Sequence, residues 1–429
     1  MILEKSQEIL KKHALCDNCL GRQFAQLGSG TTNQDRGESI KETLMMKADI
    51  LIKEEKNPSE MKDLAKSFKK ANKALERRGY DRIQIKKCHL CKNLFKNLTY
   101  FANRAIEEID DLKFDTFLFG TKLDSSLTKR EEKFWAKFGA KYSESIKSEI
   151  NREIGKIIEK KTDKIVNLEN PEVDFLLNTE KQEIEININP LYIYGRYRKL
   201  SREIPQCEWH CPVCRGDGCM RCDGTGYLYE NSVEKIISEP LLEKTKGQKT
   251  VFHGSGREDV DVKMLGKGRP FVIEVKNPKN RKINLEELKT LINDSQNDVE
   301  VNNLEFTEKE KVRDIKQAKP PKVYRSVIKT HKTEKEILKA LEEFKNSEII
   351  QKTPKRISRR PEKVRKRNVL DTNLVDIEDN KATIEFKTEA GLYIKELISG
   401  DGERTKPSLS SLLEENLECQ KLDVMEIEY

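Results

Sequence analysis

Apolar positions in the first half of the chain recur mostly at helical spacing. The opening MILEKSQEILKKHAL reads as an amphipathic helix with charges throughout. Ile40, Leu44, Ala48 and Leu51 make one stripe, and Met61, Leu64, Phe68, Ala71 and Leu75 a second. Such stripes are packing faces before they are ligand contacts. A third stripe, Ile146, Ile150, Ile154 and Ile157, gives way to a period of two at Val173, Phe175 and Leu177, then at Ile184, Ile186 and Ile188. That alternation belongs to strands half buried on one face. The pattern predicts a small helix-and-sheet domain ending near Pro190. The basic, aromatic GRYRKLSREIPQ that follows reads as a junction. Beyond it, Phe271–Val275, Ala382–Phe386 and Leu422–Ile427 are candidate strands. A long charged segment, about Glu308 to Arg367, carries helical periodicity at Ile337, Leu338, Leu341 and Phe344. No internal repeat or low-complexity tract interrupts the chain.

At 429 residues, two or three domains fit better than one. Hydrophobic residues at 36% suffice to fold a chain that is also 36% charged, so it should be globular and soluble. The net charge of +8 is modest, but it is concentrated. QKTPKRISRRPEKVRKR, residues 351–367, has nine Lys or Arg against the single acid Glu362, and suits a solvated linker or a nucleic-acid contact equally. The first helix lacks the long apolar core of a signal peptide or membrane anchor, which points to the cytoplasm. In a reducing compartment the ten cysteines favour metal over disulfides.

Cys16-Asp-Asn-Cys19 and Cys88-His-Leu-Cys91 are matched CxxC knuckles, and two of these complete the four-thiolate shell of a structural zinc. Binding would clip together the ends of a long segment. His13 and His89 are rival ligands nearby. Cys211, Cys214, Cys219 and Cys222 form two more knuckles separated by RGDG, whose glycines let the backbone fold back. One zinc on these four thiolates is the first choice. Cys207 or His210 could replace a ligand, and a redox CxxC is the main rival. Cys419 stands alone and reads as a small core residue.

Residues 254–265, GSGREDVDVKML, place Arg257, Glu258, Asp259 and Asp261 between a glycine turn and an apparent strand. A dinucleotide loop is excluded, because no third glycine stands at the required offset and no long helix follows. Asp259 and Asp261, two apart on one side of a strand, could bind magnesium. Read alone, the stretch is a plain acidic turn.

Four stretches together carry a resemblance: CDNCLGRQFA, GRYRKLSREIPQ, SGREDVDVKMLGKGRPFVIEV and EAGLYIKELISGDGERTKPSL. Over nearly its full length the chain resembles archaeal members of the Pus-ten family of tRNA pseudouridine synthases. The resemblance implies an α+β protein. Residues 1–190 would be a zinc-bearing α/β accessory region with a THUMP-type RNA-binding module. Residues 191–429 would be a pseudouridine synthase domain with a mixed, mostly antiparallel sheet and a basic, thumb-like segment at about 308–367. It also implies Asp259 as the nucleophile, Lys395 as the cation that keeps it ionised, and Arg257 as the residue that holds the displaced nucleotide. Tyr324 matches the family's active-site tyrosine, placed to stack on uracil and take part in proton transfer. Ile394 and Leu422 would pack around the base, though both suit a strand core equally. Arg356, Arg359 and Arg360 of the basic run would grip RNA phosphates. The motif departs from the family's usual reading at Lys263, where arginine is common.

The activity implied is conversion of uridine to pseudouridine at positions 54 and 55 of the TΨC arm, with folded tRNA as partner and no organic cofactor. Nothing points to a membrane or an obligate protein partner. Two rivals remain: a non-catalytic zinc-containing RNA-binding protein, and another RNA-modifying enzyme built on the same accessory module. The second would need a phosphate-cradling or cofactor-binding glycine loop, and the sequence offers none.

Overall fold

The computed structural model describes residues 1–345, 347–357 and 361–429. It divides into two compact units, Met1–Asn189 and Pro190–Tyr429.

The first unit begins with helices α1 (Ile2–Lys12), α2 (Asp17–Gly21), α3 (Asn33–Glu55), α4 (Ser59–Ala65), α5 (Lys69–Arg77) and α6 (Leu98–Glu107). It continues through β1 (Thr116–Lys122), α7 (Ser125–Phe138), α8 (Ile146–Thr162), β2 (Ile165–Val166), β3 (Val173–Asn178) and β4 (Glu183–Ile188). In α3 the Thr32 hydroxyl caps the helix by accepting from the Asp35 amide, and Ile40, Leu44 and Ala48 are buried. The stripe expected from Met61 to Leu75 is two helices: Phe68 adopts an extended backbone and breaks it, while all five apolar residues stay inside. In α8 the fourth buried isoleucine is Ile158, with Ile157 only partly covered, because the buried face also takes in Gly155 and is turned toward that side of the helix. The sheet order is β2-β1-β3-β4; β1 runs parallel to β2 and β3, and β4 closes the edge antiparallel.

The second unit runs β5 (Leu191–Lys199), α9 (Val233–Thr245), β6 (Lys249–Gly254), β7 (Lys263–Lys276), α10 (Leu285–Ser295), β8 (Val299–Thr307), α11 (Lys309–Gln317) and β9 (Lys322–Lys329). Then come α12 (Glu334–Phe344), β10 (Glu348–Lys352), β11 (Val364–Glu378), β12 (Lys381–Thr388), α13 (Ile394–Ser399), β13 (Thr405–Lys406), α14 (Leu409–Leu413) and β14 (Cys419–Ile427). Its sheet is ordered β13-β10-β11-β12-β9-β14-β7-β5-β8, with β6 also paired to β7. It is mixed and mostly antiparallel, with the parallel step between β14 and β7.

Two expectations change here. GRYRK, expected as the start of a junction, is the second half of β5, between β7 and β8, and Arg196, Tyr197 and Lys199 are buried. Their polar heads find partners inside, so charge in the sequence did not mean exposure. The charged stretch 308–367 is not one projecting element either. It folds as α11, β9, α12, β10 and the start of β11, and β9 lies in the middle of the sheet.

Candidate active site and metal centres

Asp259 lies in the loop joining β6 to β7, where its carbonyl accepts from the Val262 amide at 3.1 Å to close a turn. Asp259 and Asp261 therefore do not share a strand face as the alternation suggested, because the strand begins only at Lys263. Gly256 starts the loop at φ 85°, in the left-handed region. A side chain there would meet the heads of Arg269 and Lys322, each 3.0 Å from the Cβ position.

Two cations converge on the Asp259 carboxylate, whose side chain is 40% exposed and so open to a substrate. Arg356 Nη1 donates to Oδ2 at 2.8 Å, and Lys395 Nζ stands 3.6 Å from the same oxygen. Lys395, on the first turn of α13, makes its short bonds to Asp261 instead, donating to both oxygens at 2.8 and 2.7 Å. Burial works to raise the Asp261 carboxyl, but the Lys395 bond outweighs it and holds that group below its ordinary value. Arg356 also donates through Nε to Glu396 at 2.6 Å. The result is an alternating cluster of Asp259, Asp261 and Glu396 with Arg356 and Lys395, in which every carboxylate faces a cation.

Glu258 points the other way. It is buried, paired with Arg269 at 2.8 Å, and accepts from the Tyr197 hydroxyl at 2.8 Å. Tyr324, on β9, is cross-strand to Phe386 and Val424 and packs against the core of this unit. Burial pushes its phenol up to about 12, with Arg269 and Glu258 as the charges nearby. Lys322, two residues earlier on β9, sees the same two groups, and burial pulls its ammonium down to about 8. Ile394 and Leu422 are both buried in the core of the unit. Arg257 is exposed, its guanidinium 5.1 Å from the ring of Trp209. Arg359 and Arg360 lie outside the described residues. Sequence reasoning did not single out Glu396, Arg269, Lys199 or Arg202, although the last two stand in the quoted GRYRKLSREIPQ.

Each predicted cysteine group is assembled. Sγ atoms of Cys16, Cys19, Cys88 and Cys91 lie within 4.8 Å of one another, as do those of Cys211, Cys214, Cys219 and Cys222. A tetrahedral ion with metal–sulfur bonds of about 2.3 Å sets its sulfurs about 3.8 Å apart. Cys16 and Cys91 are at 3.6 Å, Cys214 and Cys222 at 3.7 Å, and Cys211 and Cys219 at 3.8 Å, so both groups could hold a metal ion. Donors face the sulfurs as well: Arg22 Nη1 reaches Cys19 Sγ at 2.9 Å, and the Gly226 amide reaches Cys222 Sγ at 3.2 Å. The rival ligands stand apart from these thiol groups. His13 and His89 pack ring against ring with centroids 4.1 Å apart, His210 lies tilted against Tyr227 at 5.0 Å, and Cys207 donates toward Gln206. Cys419 is partly buried against the core. Among the described residues no helix is long and apolar enough to cross a membrane.

Comparison with known proteins places the chain among close relatives. The family model "Pus10, C-terminal" matches residues 192–428, and "Pus10 THUMP domain, archaeal" matches 101–178. A protein of Methanocaldococcus jannaschii named tRNA pseudouridine synthase Pus10 is 45% identical over 435 residues, covering 98% of this chain and 93% of its own. Its namesake from Methanothrix thermoacetophila is 41% identical over 431 residues, covering 99% and 94%. That from Pyrococcus furiosus is 38% identical over 430 residues, covering 100% and 98%. A crystal structure of a Cbf5-Nop10-Gar1 complex superposes on 46% of this chain and 45% of its own, at 18% identity and a TM-score of 0.29, too loose a match to carry an argument.

Proposed function

The chain belongs to the Pus10 family of tRNA pseudouridine synthases, which are isomerases, and on that premise we propose that it converts uridines 54 and 55 of the TΨC arm of tRNA to pseudouridine, with Asp259 as the nucleophile. The N1–C1′ bond breaks, uracil turns in place, and C5 bonds to C1′. The C5 proton is released and N1 gains one, so the product is an isomer and no redox partner is required. Asp259 begins the exchange at the sugar or the base. Arg356 and Lys395 pair with its carboxylate and orient it, Tyr324 stacks on the uracil, and Ile394 and Leu422 bound the pocket. Arg257, exposed beside Asp259, meets the displaced nucleotide, since the target base must leave its stack. The basic run containing Arg356, Arg359 and Arg360 holds phosphates, and the THUMP module adds affinity for folded tRNA.

Zinc is the metal we assign to both cysteine groups, because four thiolates in a closed tetrahedral set suit a structural ion. It would fix the backbone at each knuckle and take no part in the reaction. A cytoplasmic location accords with four free thiols at each site.

The observation that carries this reading is the 40%-exposed Asp259 carboxylate held between Arg356 at 2.8 Å and Lys395 at 3.6 Å. Its test is Asp259→Asn, assayed by tritium release from 5-tritiated uridine in a tRNA transcript. Release should vanish while tRNA binding persists; unchanged release would overturn the assignment. Mass-spectrometric mapping of the treated tRNA identifies the positions modified.

A further inference from the structure

GRYRKLSREIPQ has no role in the reaction as described, yet its polar side chains converge on the loop bearing Asp259. The Tyr197 hydroxyl donates to the Glu258 carboxylate at 2.8 Å. Lys199 Nζ, on a fully buried side chain, donates to three carbonyls: Ile204 at 3.0 Å, Asp259 at 3.2 Å and Val260 at 2.6 Å. Arg202 Nη1 donates to the carbonyls of Asp261 at 2.8 Å and Leu422 at 2.9 Å, while Nη2 pairs with Asp423 at 2.6 Å. Gln206 Nε2 reaches the Gly256 carbonyl at 2.9 Å and the Tyr197 hydroxyl at 2.7 Å. Every residue from Glu258 to Asp261 is thus gripped by a side chain from this one stretch.

The arrangement has a physical logic. A loop that turns its carbonyls inward must find donors for them, and an ammonium carries three N–H bonds for three acceptors. A buried ammonium is costly unless paired, so its presence under this loop is matched by what it bonds. Reacting groups tolerate little displacement: about 1 Å of error costs on the order of 100-fold in rate. The carboxylate of Asp259 is tied to Arg356 and Lys395 on the outer side, while its backbone is held by the Val262 turn bond and by the donors from this stretch.

We infer that Gly195–Gln206 is a cradle that sets the position of Asp259, with Lys199 and Arg202 as its positioning residues. This rests on Asp259 being the reacting acid, and the test separates the two claims. Carboxylates of Glu258, Asp261 and Asp259 and the guanidinium of Arg202 are the charges around Lys199. Burial pulls its ammonium down to about 8, so as pH rises through that value the amine keeps two donors for three carbonyls.

The experiment compares Lys199→Met, Lys199→Arg and Arg202→Gln in the full-length holoprotein by kcat, tRNA affinity, hydrogen exchange of residues 255–262, and the pH profile of kcat. Lys199→Met should lower kcat about 100-fold, leave tRNA affinity within about twofold, and speed exchange in the loop. Lys199→Arg should restore much of kcat and carry the alkaline limb to higher pH, because arginine stays protonated. If Lys199→Met fails to fold, Arg202→Gln, at a partly exposed site, should show the same split between kcat and affinity with about a tenfold loss. A kcat within about threefold of wild type with unchanged loop exchange in a folded variant overturns the cradle, as does a parallel collapse of kcat, affinity and melting temperature in Arg202→Gln. Exchange reports on the cradle whichever acid reacts, so an active Asp259→Asn would sink the nucleophile assignment without touching this arm.

Discussion

Arg269→Met should destabilise the second unit severely, and the size of the effect follows from the surroundings of Glu258. The two side chains are 2% and 0% exposed and 2.8 Å apart, so solvent screens neither charge. Deleting the guanidinium leaves a buried carboxylate with the Tyr197 hydroxyl as its remaining close donor, and removing one partner of such a pair costs about 3–5 kcal/mol. The Ser255 carbonyl, which accepts from Arg269 Nη1 at 2.8 Å, also loses its donor, adding about 1 kcal/mol. Some return comes from Lys322, whose ammonium is disfavoured first by burial and then by Arg269. A net loss near 4 kcal/mol corresponds to a fall of roughly 8–16 °C in Tm for a unit of this size. Scanning calorimetry of the full chain, following the transition of this unit, measures it. Glu258→Leu combined with Arg269→Met removes both charges and should recover more than half the loss, a coupling of about 2–4 kcal/mol. A cost below about 1 kcal/mol for Arg269→Met, or strict additivity in the double variant, would refute the claim that Glu258 anchors the loop from inside.

Other consequences can be checked separately. Arg356→Ala should weaken tRNA binding and lower the slope of log affinity against log salt by about one, as loss of a phosphate contact does; an unchanged slope would restrict Arg356 to its bond with Asp259. Lys199 and Lys322 both have folded values depressed to about 8, so between there and the unfolded lysine value the unfolded chain binds more protons. Stability of the second unit should therefore rise with pH over that window while kcat falls, and denaturant titrations from pH 7.5 to about 9.5 should show the rise shrink in Lys199→Met. Titrating thiols with a mercurial should release two zinc ions per chain, and Cys88→Ser or Cys211→Ser should each remove one; release of a single ion from wild type would dissociate one cysteine group from metal.

How much of this was legible depended on whether a residue's role was local. The cysteine pairs were, because a CxxC knuckle is defined within four residues and needs only a second knuckle to close the shell. Ile40, Leu44 and Ala48 were legible by period, and so were β3, β12 and β14. The break at Phe68 was not, since five apolar residues at helical spacing fit one helix or two. β5 was misread for a stronger reason: Lys199 and Arg196 look like solvent-facing charge, and only carbonyls distant in sequence make their burial tolerable. The same distance hid Arg269, whose partner lies eleven positions earlier across a turn that composition does not show.

Arg257, Glu258 and Asp259 show why a family resemblance could single out this stretch while residue spacing could not explain it. Three consecutive charges meet three environments: Arg257 stacks outward on Trp209, Glu258 is sealed inside with Arg269, and Asp259 opens onto Arg356 and Lys395. Backbone geometry forces neighbours in an irregular turn to diverge, so an inward anchor and an outward, accessible acid can sit on adjacent residues. The inward carboxylate and the carbonyls bonded to Lys199 fix the backbone, and the outward carboxylate then sits at a defined place facing Arg356 and Lys395. Exchanging the order of the acids, as in Glu258→Asp with Asp259→Glu, keeps charge and composition while shortening the anchor and lengthening the proposed nucleophile by one methylene each. A shortened anchor draws away from Arg269 and Tyr197, and a lengthened carboxylate overshoots toward Arg356. The swap should lose about 100-fold or more in kcat, like a displacement on the order of 1 Å, with tRNA affinity retained. Tritium release within about tenfold of wild type would mean that the loop tolerates both shifts and that its inward half does not position the acid.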